Sequence, residues 1–283
     1  MFVILGYIIV LGSVLGGFIG AGGHVGVLIQ PFEVIIIFGA AMGAFLSSNS
    51  MTVVKATFSA ATGTLKSPKY NKAFYLELLL CFFALTNKTR KEGLLSLEEL
   101  IENPENSNIF TPKVLADHHL MDFICDNLRL IVTGIDINQL EEITDQEIEI
   151  HHEEGHAPIK SIQRIGDGMP AFGIVAAVMG VVHTMESISL PPAELGKLIA
   201  AALVGTFLGI LLAYGFIGPV AAAMEERLEM AGNAFKCAQK GLLCCAKAIA
   251  PPMTAEYMRS MITSDKRPGF TELEEHLKAN KPG

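Results

Sequence analysis

Polar and apolar positions alternate in long blocks along this chain. From Phe2 to Ala21 the sequence FVILGYIIVLGSVLGGFIGA has no ionisable acid or base apart from one tyrosine. Val34 to Ser50, VIIIFGAAMGAFLSSNS, repeats the pattern, and Gly168 to Met185, GMPAFGIVAAVMGVVHTM, makes a third block. A fourth runs from Leu198 to Met224 without a charged residue. Crossing a hydrocarbon core takes about 20 helical residues, so the blocks predict four membrane-spanning helices. The fourth block would be about 40 Å long as a helix and should project beyond the bilayer. The first lacks a basic leader and exceeds a signal-peptide core, so it reads as a retained span. Ala73 to Leu85, AFYLELLLCFFAL, is equally apolar but too short to span. It predicts a helix either buried in a cytoplasmic domain or lying at the membrane surface.

Composition strengthens the membrane reading. The 283 residues are 51% hydrophobic and only 18% charged, with no tryptophan and 27 glycines. Residues 1–54 contain a single charged side chain, Glu33, and residues 168–224 contain only Glu186, Glu194 and Lys197. Of 21 Lys and Arg, 11 lie in 51–166 and nine in 225–283. The positive-inside rule places both long segments, and hence both termini, in the cytoplasm. The predicted organisation is spans one and two in 1–50, a cytoplasmic loop domain in 51–166, spans three and four in 167–224, and a cytoplasmic tail in 225–283. This is an all-α integral membrane protein with a helical cytoplasmic domain. With about 17 acids against 11 bases in the loop, no nucleic-acid surface is expected.

Candidate chemistry changes this picture little. Cys81, Cys125, Cys237, Cys244 and Cys245 fall in cytoplasmic segments with no CxxC spacing, and read as free thiols serving as small apolar residues. The segment HHEEGH, His151–His156, contains H-E-x-x-H, the spacing of zinc peptidases. Gly155 and Pro158 argue against a continuous helix there, so the stretch reads as an acidic helix end followed by a turn, with no metal. His118 and His119 read as an ordinary loop pair, and His183 as a hydrated residue at the outer end of span three. No Asp, Glu, Lys or Arg lies well inside any span, Glu33 standing at an edge beside Pro31. A cation-conducting membrane protein usually keeps such a group. Thr206 and Tyr214 are polar groups at depth, with Ser47, Ser48 and Asn49 nearer the cytoplasmic end. The simplest reading of Thr206 is a hydroxyl bonded to its own helix. Glycines and alanines recur at four-residue spacing (Gly12/Gly16/Gly20, Gly39/Gly43, Gly173/Ala177, Gly205/Gly209), allowing close helix contact within the chain or between subunits. Pro170 and Pro219 permit bends in spans three and four.

GDGMPAFGIVAAVMGVVH followed by LVGTFLGILLAYGFIGP resembles the third and fourth spans of the MotA family of flagellar stator subunits, within the MotA/TolQ/ExbB proton channel family. LGYIIVLGSVLGGFIGAGG and QPFEVIIIFGAAMGAF resemble its first two spans, KTRKEGLLSLEELIENP its cytoplasmic loop, and RPGFTELEEHL its tail. The resemblance implies a non-enzymatic, multi-pass protein of the bacterial inner membrane without a cofactor. It implies a pentamer around two copies of a MotB-type single-span partner, which supplies the proton-accepting aspartate. It further implies an ion path and coupling region at Pro170, Ala177, Thr206, Tyr214 and Pro219, and contacts to the rotor protein FliG through Arg90 and Glu98. Sodium-driven relatives carry extra threonines where this chain has Ala177 and Gly205, so the resemblance implies H⁺ rather than Na⁺ as the transported ion. It leaves polar and lateral flagellar systems both open. An energiser of the ExbB/TolQ kind is the alternative, disfavoured by the loop and the long tail.

Overall fold

The computed structural model describes residues 2–186 and 189–280, and every regular element among them is helical. The elements are α1 (Phe2–Gly20), α2 (Pro31–Ser48), α3 (Met51–Gly63), α4 (Lys72–Glu92), α5 (Glu98–Glu102), α6 (Pro112–Leu115), α7 (His118–Val132) and α8 (Ile137–Glu186). Then α9 (Pro192–Leu212) passes through a π-helical turn, Ala213–Ile217, into α10 (Gly218–Ala246), followed by α11 (Pro251–Met261) and α12 (Phe270–Ala279). Four helical stretches are long and apolar enough to cross a membrane: Val3–Gly20, Val25–Ser48, Ile137–Glu186 and Pro192–Ala246. Each overlaps one of the four expected spans. The chain divides into two compact units, one built from the residues up to Ser67 with Glu154–Arg227, the other from Pro68–Glu153 with the chain from Leu228 onward.

The expected turn after Glu154 does not form. One helix of 50 residues runs through Gly155, Pro158 and Pro170. A helix-interior proline costs about 3 kcal/mol, which tertiary packing offsets here. Ile159, Ile162 and Ile165 are buried on the same helix. Between them the Ser161 hydroxyl donates to Asn49 Oδ1 at 2.7 Å, tying the helix to the end of α2. Local breakers lose to tertiary contacts that span several turns.

In the unit holding the spans, α2 turns Ile37, Ala41 and Phe45 inward at four-residue spacing, which places them on one helix face. Many other large apolar residues there are exposed, Ile8 at 63% and Val182 at 57% for example. Lipid tails are as apolar as these side chains, so their exposure costs nothing in a bilayer. Arg227 donates to the carbonyls of Thr64 and Lys66 just beyond α3, satisfying carbonyls that the helix end leaves open.

In the other unit, α4 is the core element. Its N-terminus is capped by Asn71, whose side chain accepts from the Phe74 N–H. At its other end Gly93 supplies φ +85°, a conformation glycine adopts without strain. Tyr75, Leu78, Leu79, Phe82 and Leu85 are fully or almost fully buried, which settles the Ala73–Leu85 segment as a core helix extended to Glu92. Leu120, Ile124 and Leu128 pack from α7, Met258 from α11, and Leu273 and Leu277 from α12. On α10, a Cβ at Gly241 would lie 2.4 Å from the Phe82 ring, so only glycine lets that helix approach. The five cysteines are free and buried, in the small-apolar role expected of them. Burial pushes the Cys237 and Cys245 thiols up to about 12.

Candidate functional site

Spans three and four meet through glycine. A Cβ placed at Gly173 would lie 2.8 Å from the Gly205 carbonyl oxygen and 3.4 Å from the Thr206 Cα. One at Gly209 would lie 2.6 Å from the Met169 carbonyl oxygen and 3.0 Å from the Gly173 Cα. One at Gly205 would lie 3.2 Å from the Ala177 backbone nitrogen. These glycines are consumed by packing within the chain, backbone against backbone. By contrast, a Cβ at Gly12, Gly16, Gly20, Gly39 or Gly43 would have nothing within 4 Å, so α1 and α2 keep small faces that this chain does not fill.

This packing sets the level of each expected ion-path residue. Ala177 and Thr206 stand at one helix–helix contact, and Pro170 follows Met169 at the level of Gly209. Ala177, Thr206 and Pro170 are half-buried, while Tyr214 is 71% exposed and Pro219 is exposed. The Thr206 hydroxyl does not bond back to its own helix. Thr57, Thr86, Thr144 and Thr184 all do so, to the carbonyl four residues before them.

Tyr214 lies in the π-helical turn just before Pro219. Proline has no N–H to give to the carbonyl four residues earlier, and the helix widens there, with the Gly218 N–H reaching back to the Ala213 carbonyl. Such single π-turns inside a helix often mark functional bends. Tyr7 on α1 braces it: its hydroxyl donates to the Phe216 carbonyl at 2.9 Å, and the two rings lie 4.9 Å apart. Beneath the turn, a cleft of about 370 Å³ is lined by Gln163, Asp167, Tyr214, Ile217, Gly218 and Glu225. Two carboxylates and a phenol thus share one pocket beside the Tyr214–Pro219 end of the expected path.

Sequence reasoning passed over Tyr7, Asp167 and above all Glu33. Although Glu33 occupies the first turn of α2, its carboxylate reaches the seam of spans three and four. Oε2 lies 2.8 Å from where a Gly205 Cβ would be, and Oε1 lies 3.7 Å from a Cβ at Gly180. Oε2 is buried and, among the described residues, has no hydrogen-bond partner. The seam therefore does hold an acid, contrary to the expectation that this carboxylate stays at an edge. The available signal was its isolation as the one charge in 54 residues.

The expected rotor-contact residues lie in the other unit. Arg90 is in the last turn of α4 and Glu98 begins α5, with Gly93 turning the chain between them. Leu97, fully buried, anchors this connection. Both charged side chains are exposed, and among the described residues neither enters an ion pair, whereas neighbouring Lys88 and Glu92 pair at 2.9 Å.

The histidines of HHEEGH have structural neighbours. The His151 ring lies 4.3 Å from that of Phe235 and 6.3 Å from His119, and His152 Nε2 is 3.3 Å from a Glu229 carboxylate oxygen. Among the described residues no three of His, Cys, Asp and Glu gather as metal ligands. His183 is exposed at the end of the third span, 3.7 Å from Glu186.

Comparison with known proteins agrees with this architecture. Residues 4–93 match the Motility protein A N-terminal family, and residues 115–236 match the MotA/TolQ/ExbB proton channel family. Motility protein A of Salmonella typhimurium is 46% identical over 99% of this chain and 96% of its own length, as is that of Escherichia coli K12. The chemotaxis protein LafT of Vibrio parahaemolyticus is 37% identical over 96% of this chain and 97% of its own. The fold matches the structure of C. jejuni MotAB with a TM-score of 0.79 at 19% identity, covering 95% of this chain and 98% of that one. With nearly half of its residues shared along its whole length, the chain belongs to the Motility protein A family.

Proposed function

We infer that this chain is a flagellar stator subunit of the inner membrane, one that forms an ion channel with a MotB-type single-span partner and converts ion flow into torque. The observation that carries this reading is the full-length likeness to Motility protein A, joined to a span pair whose glycine seam and π-turn bring Thr206, Tyr214, Pro170 and Pro219 onto one stretch of α8 to α10. The energiser alternative lacks support over residues 4–93, where the match is to the motility N-terminal family.

In this reading both termini face the cytoplasm, H⁺ is the ion, and five copies surround two partner spans. The free small faces of α1 and α2 are available for contacts outside the chain. The partner's carboxylate takes up a proton opposite Ala177 and Thr206, loses its charge and alters its contact with the seam. The π-turn at Ala213–Ile217 absorbs the resulting shift. Each charge crossing supplies about 2.3 kcal/mol per 100 mV. Arg90 and Glu98 transmit the motion to the rotor protein FliG, opposite charges steering and registering the contact.

The test reverses these charges. Arg90→Glu and Glu98→Lys, singly and together, should slow swimming while membrane level and co-purification with the partner persist. Normal swimming in all three variants would refute the rotor contact.

A further inference from the structure

A carboxylate oxygen buried without a donor is costly, and such groups in membrane spans tend to mark ion paths. Glu33 is this chain's instance. Its backbone sits in the first turn of α2, next to the connection 21–30. Its carboxyl group enters the seam between α8 and α9, with Oε2 facing Gly205 and Oε1 facing Gly180. A Cβ at Gly205 would stand 2.8 Å from Oε2 and 3.1 Å from the Ala176 Cβ, so the glycine is what leaves room for the acid. Gly180 lies six residues before the end of α8, about 9 Å along the helix, so the carboxyl is below the mouth of the seam. Thr206, whose hydroxyl is uncommitted to its own helix, is the next residue after Gly205.

We propose that Glu33 is a proton-holding group on the ion path, taking a proton from the side of the membrane on which 21–30 lies and holding it in the Gly180–Gly205 seam beside Ala177 and Thr206. This rests on the channel reading above and adds to it a second acid, contributed by this chain and not by its partner. The seam accommodates the neutral acid, because among the described residues Oε2 has no donor to balance a charge. One O–H bond forms at Glu33 as one breaks in a hydronium ion, which is left as water; the Glu33 O–H bond then breaks as a new one forms on the next acceptor, the partner's carboxylate. No electrons change hands.

The ionisable residues on the packed elements do not neutralise it. On α8, His183 and Glu186 lie 3.7 Å from each other. On α9, Glu194 and Lys197 lie in the first two turns, eight or more residues before Gly205. His24 precedes the short helical turn Val25–Leu28. Among the described residues none of these pairs with Glu33.

The experiment uses cells lacking their own stator and carrying this chain with its single-span partner, as wild type, Glu33→Gln or Glu33→Asp. Glutamine keeps the shape and hydrogen-bonding capacity and removes the exchangeable acid. Losing a proton-transfer group costs about a hundredfold or more in rate, so Glu33→Gln motors should rotate near stall under low load, with membrane level and partner co-purification unchanged. Glu33→Asp should rotate with a shifted dependence on external pH, and replacing external sodium by potassium should alter neither. Glu33→Gln motors at wild-type speed with the wild-type pH profile would overturn the proposal, as would a sodium requirement lost with Glu33. A second readout holds even if Glu33→Gln fails to assemble. Infrared difference spectra of wild-type complexes in vesicles should show a carboxyl stretching band that appears with pH and shifts in Glu33→Asp; an unshifted spectrum would overturn the proposal. A wild-type complex that never turns the rotor would count against the stator reading, and the infrared arm would still decide Glu33.

Discussion

Replacing Gly209 by alanine should part spans three and four. The new methyl carbon would meet the Met169 carbonyl oxygen at 2.6 Å and the Gly173 Cα at 3.0 Å. Both are backbone atoms of α8, so no side chain can rotate away. Reaching ordinary contact near 3.4 Å asks the helices to separate by roughly 0.8 Å, a strain of the kind that costs about 1–3 kcal/mol in packed interiors. Alanine also gains up to about 1 kcal/mol of helix propensity over glycine, so the control is informative. At Gly12 or Gly43, where a Cβ would meet nothing within 4 Å, the same change should be neutral or slightly stabilising for the isolated chain. The assay is thermal unfolding of the detergent-solubilised chain, followed by circular dichroism. At about 2–4 °C per kcal/mol for a chain of this size, Gly209→Ala should unfold several degrees below wild type and the two controls should not. Equal midpoints for Gly209→Ala and Gly12→Ala would refute the glycine seam as the contact that joins these spans.

Further predictions concern the brace, the core and the thiols. Tyr7→Phe removes the hydroxyl that donates to the Phe216 carbonyl and should cost about 0.5–1.5 kcal/mol, read as a lowered unfolding midpoint with the ring contact kept; an unchanged midpoint would show that Tyr7 does not brace the π-turn. Phe82→Ala empties the centre of the core built around α4 and should cost about 3–5 kcal/mol, seen as a sharp drop in folded yield and protease resistance. Cys237 and Cys245, held up to about 12 by burial from the usual 9.0, should resist maleimide near neutral pH until the chain is unfolded; rapid labelling of native protein would contradict their burial. The same shift makes stability pH-dependent with a definite sign. Above about pH 9 the unfolded chain gives up thiol protons that the folded chain retains, so the unfolding midpoint should fall as pH rises past that value, and Cys237→Ser should weaken the fall.

The spans were legible because lipid demands long uncharged runs, and run length survives any ignorance of packing. The 13-residue run in α4 was legible as a non-span for the same reason, though its burial required the partners from α7, α11 and α12. Gly155 and Pro158 misled because breaker rules are local, whereas α8 is held by buried isoleucines and by the Ser161–Asn49 bond, from residues more than 100 positions apart. Thr206 misled because its hydroxyl has an obvious local partner that it does not use. Glu33 was visible as an isolated charge, but the length of its side chain lets its acid act where its backbone is not, and only the missing side chains at Gly180 and Gly205 show where. Arg90 and Glu98 carry no distinguishing signal of their own; exposed charges beside a turn are ordinary, and it was the likeness to a known loop that singled them out.

The most direct test of the central claim is rotation of single motors in cells stripped of their own stator. Co-expressing this chain with its single-span partner should restore rotation in discrete speed increments, each lost on collapse of the proton gradient, and neither protein alone should restore any. A complex that assembles in the inner membrane with its partner yet leaves the rotor still under a full proton gradient would contradict the claim that this chain turns ion flow into torque.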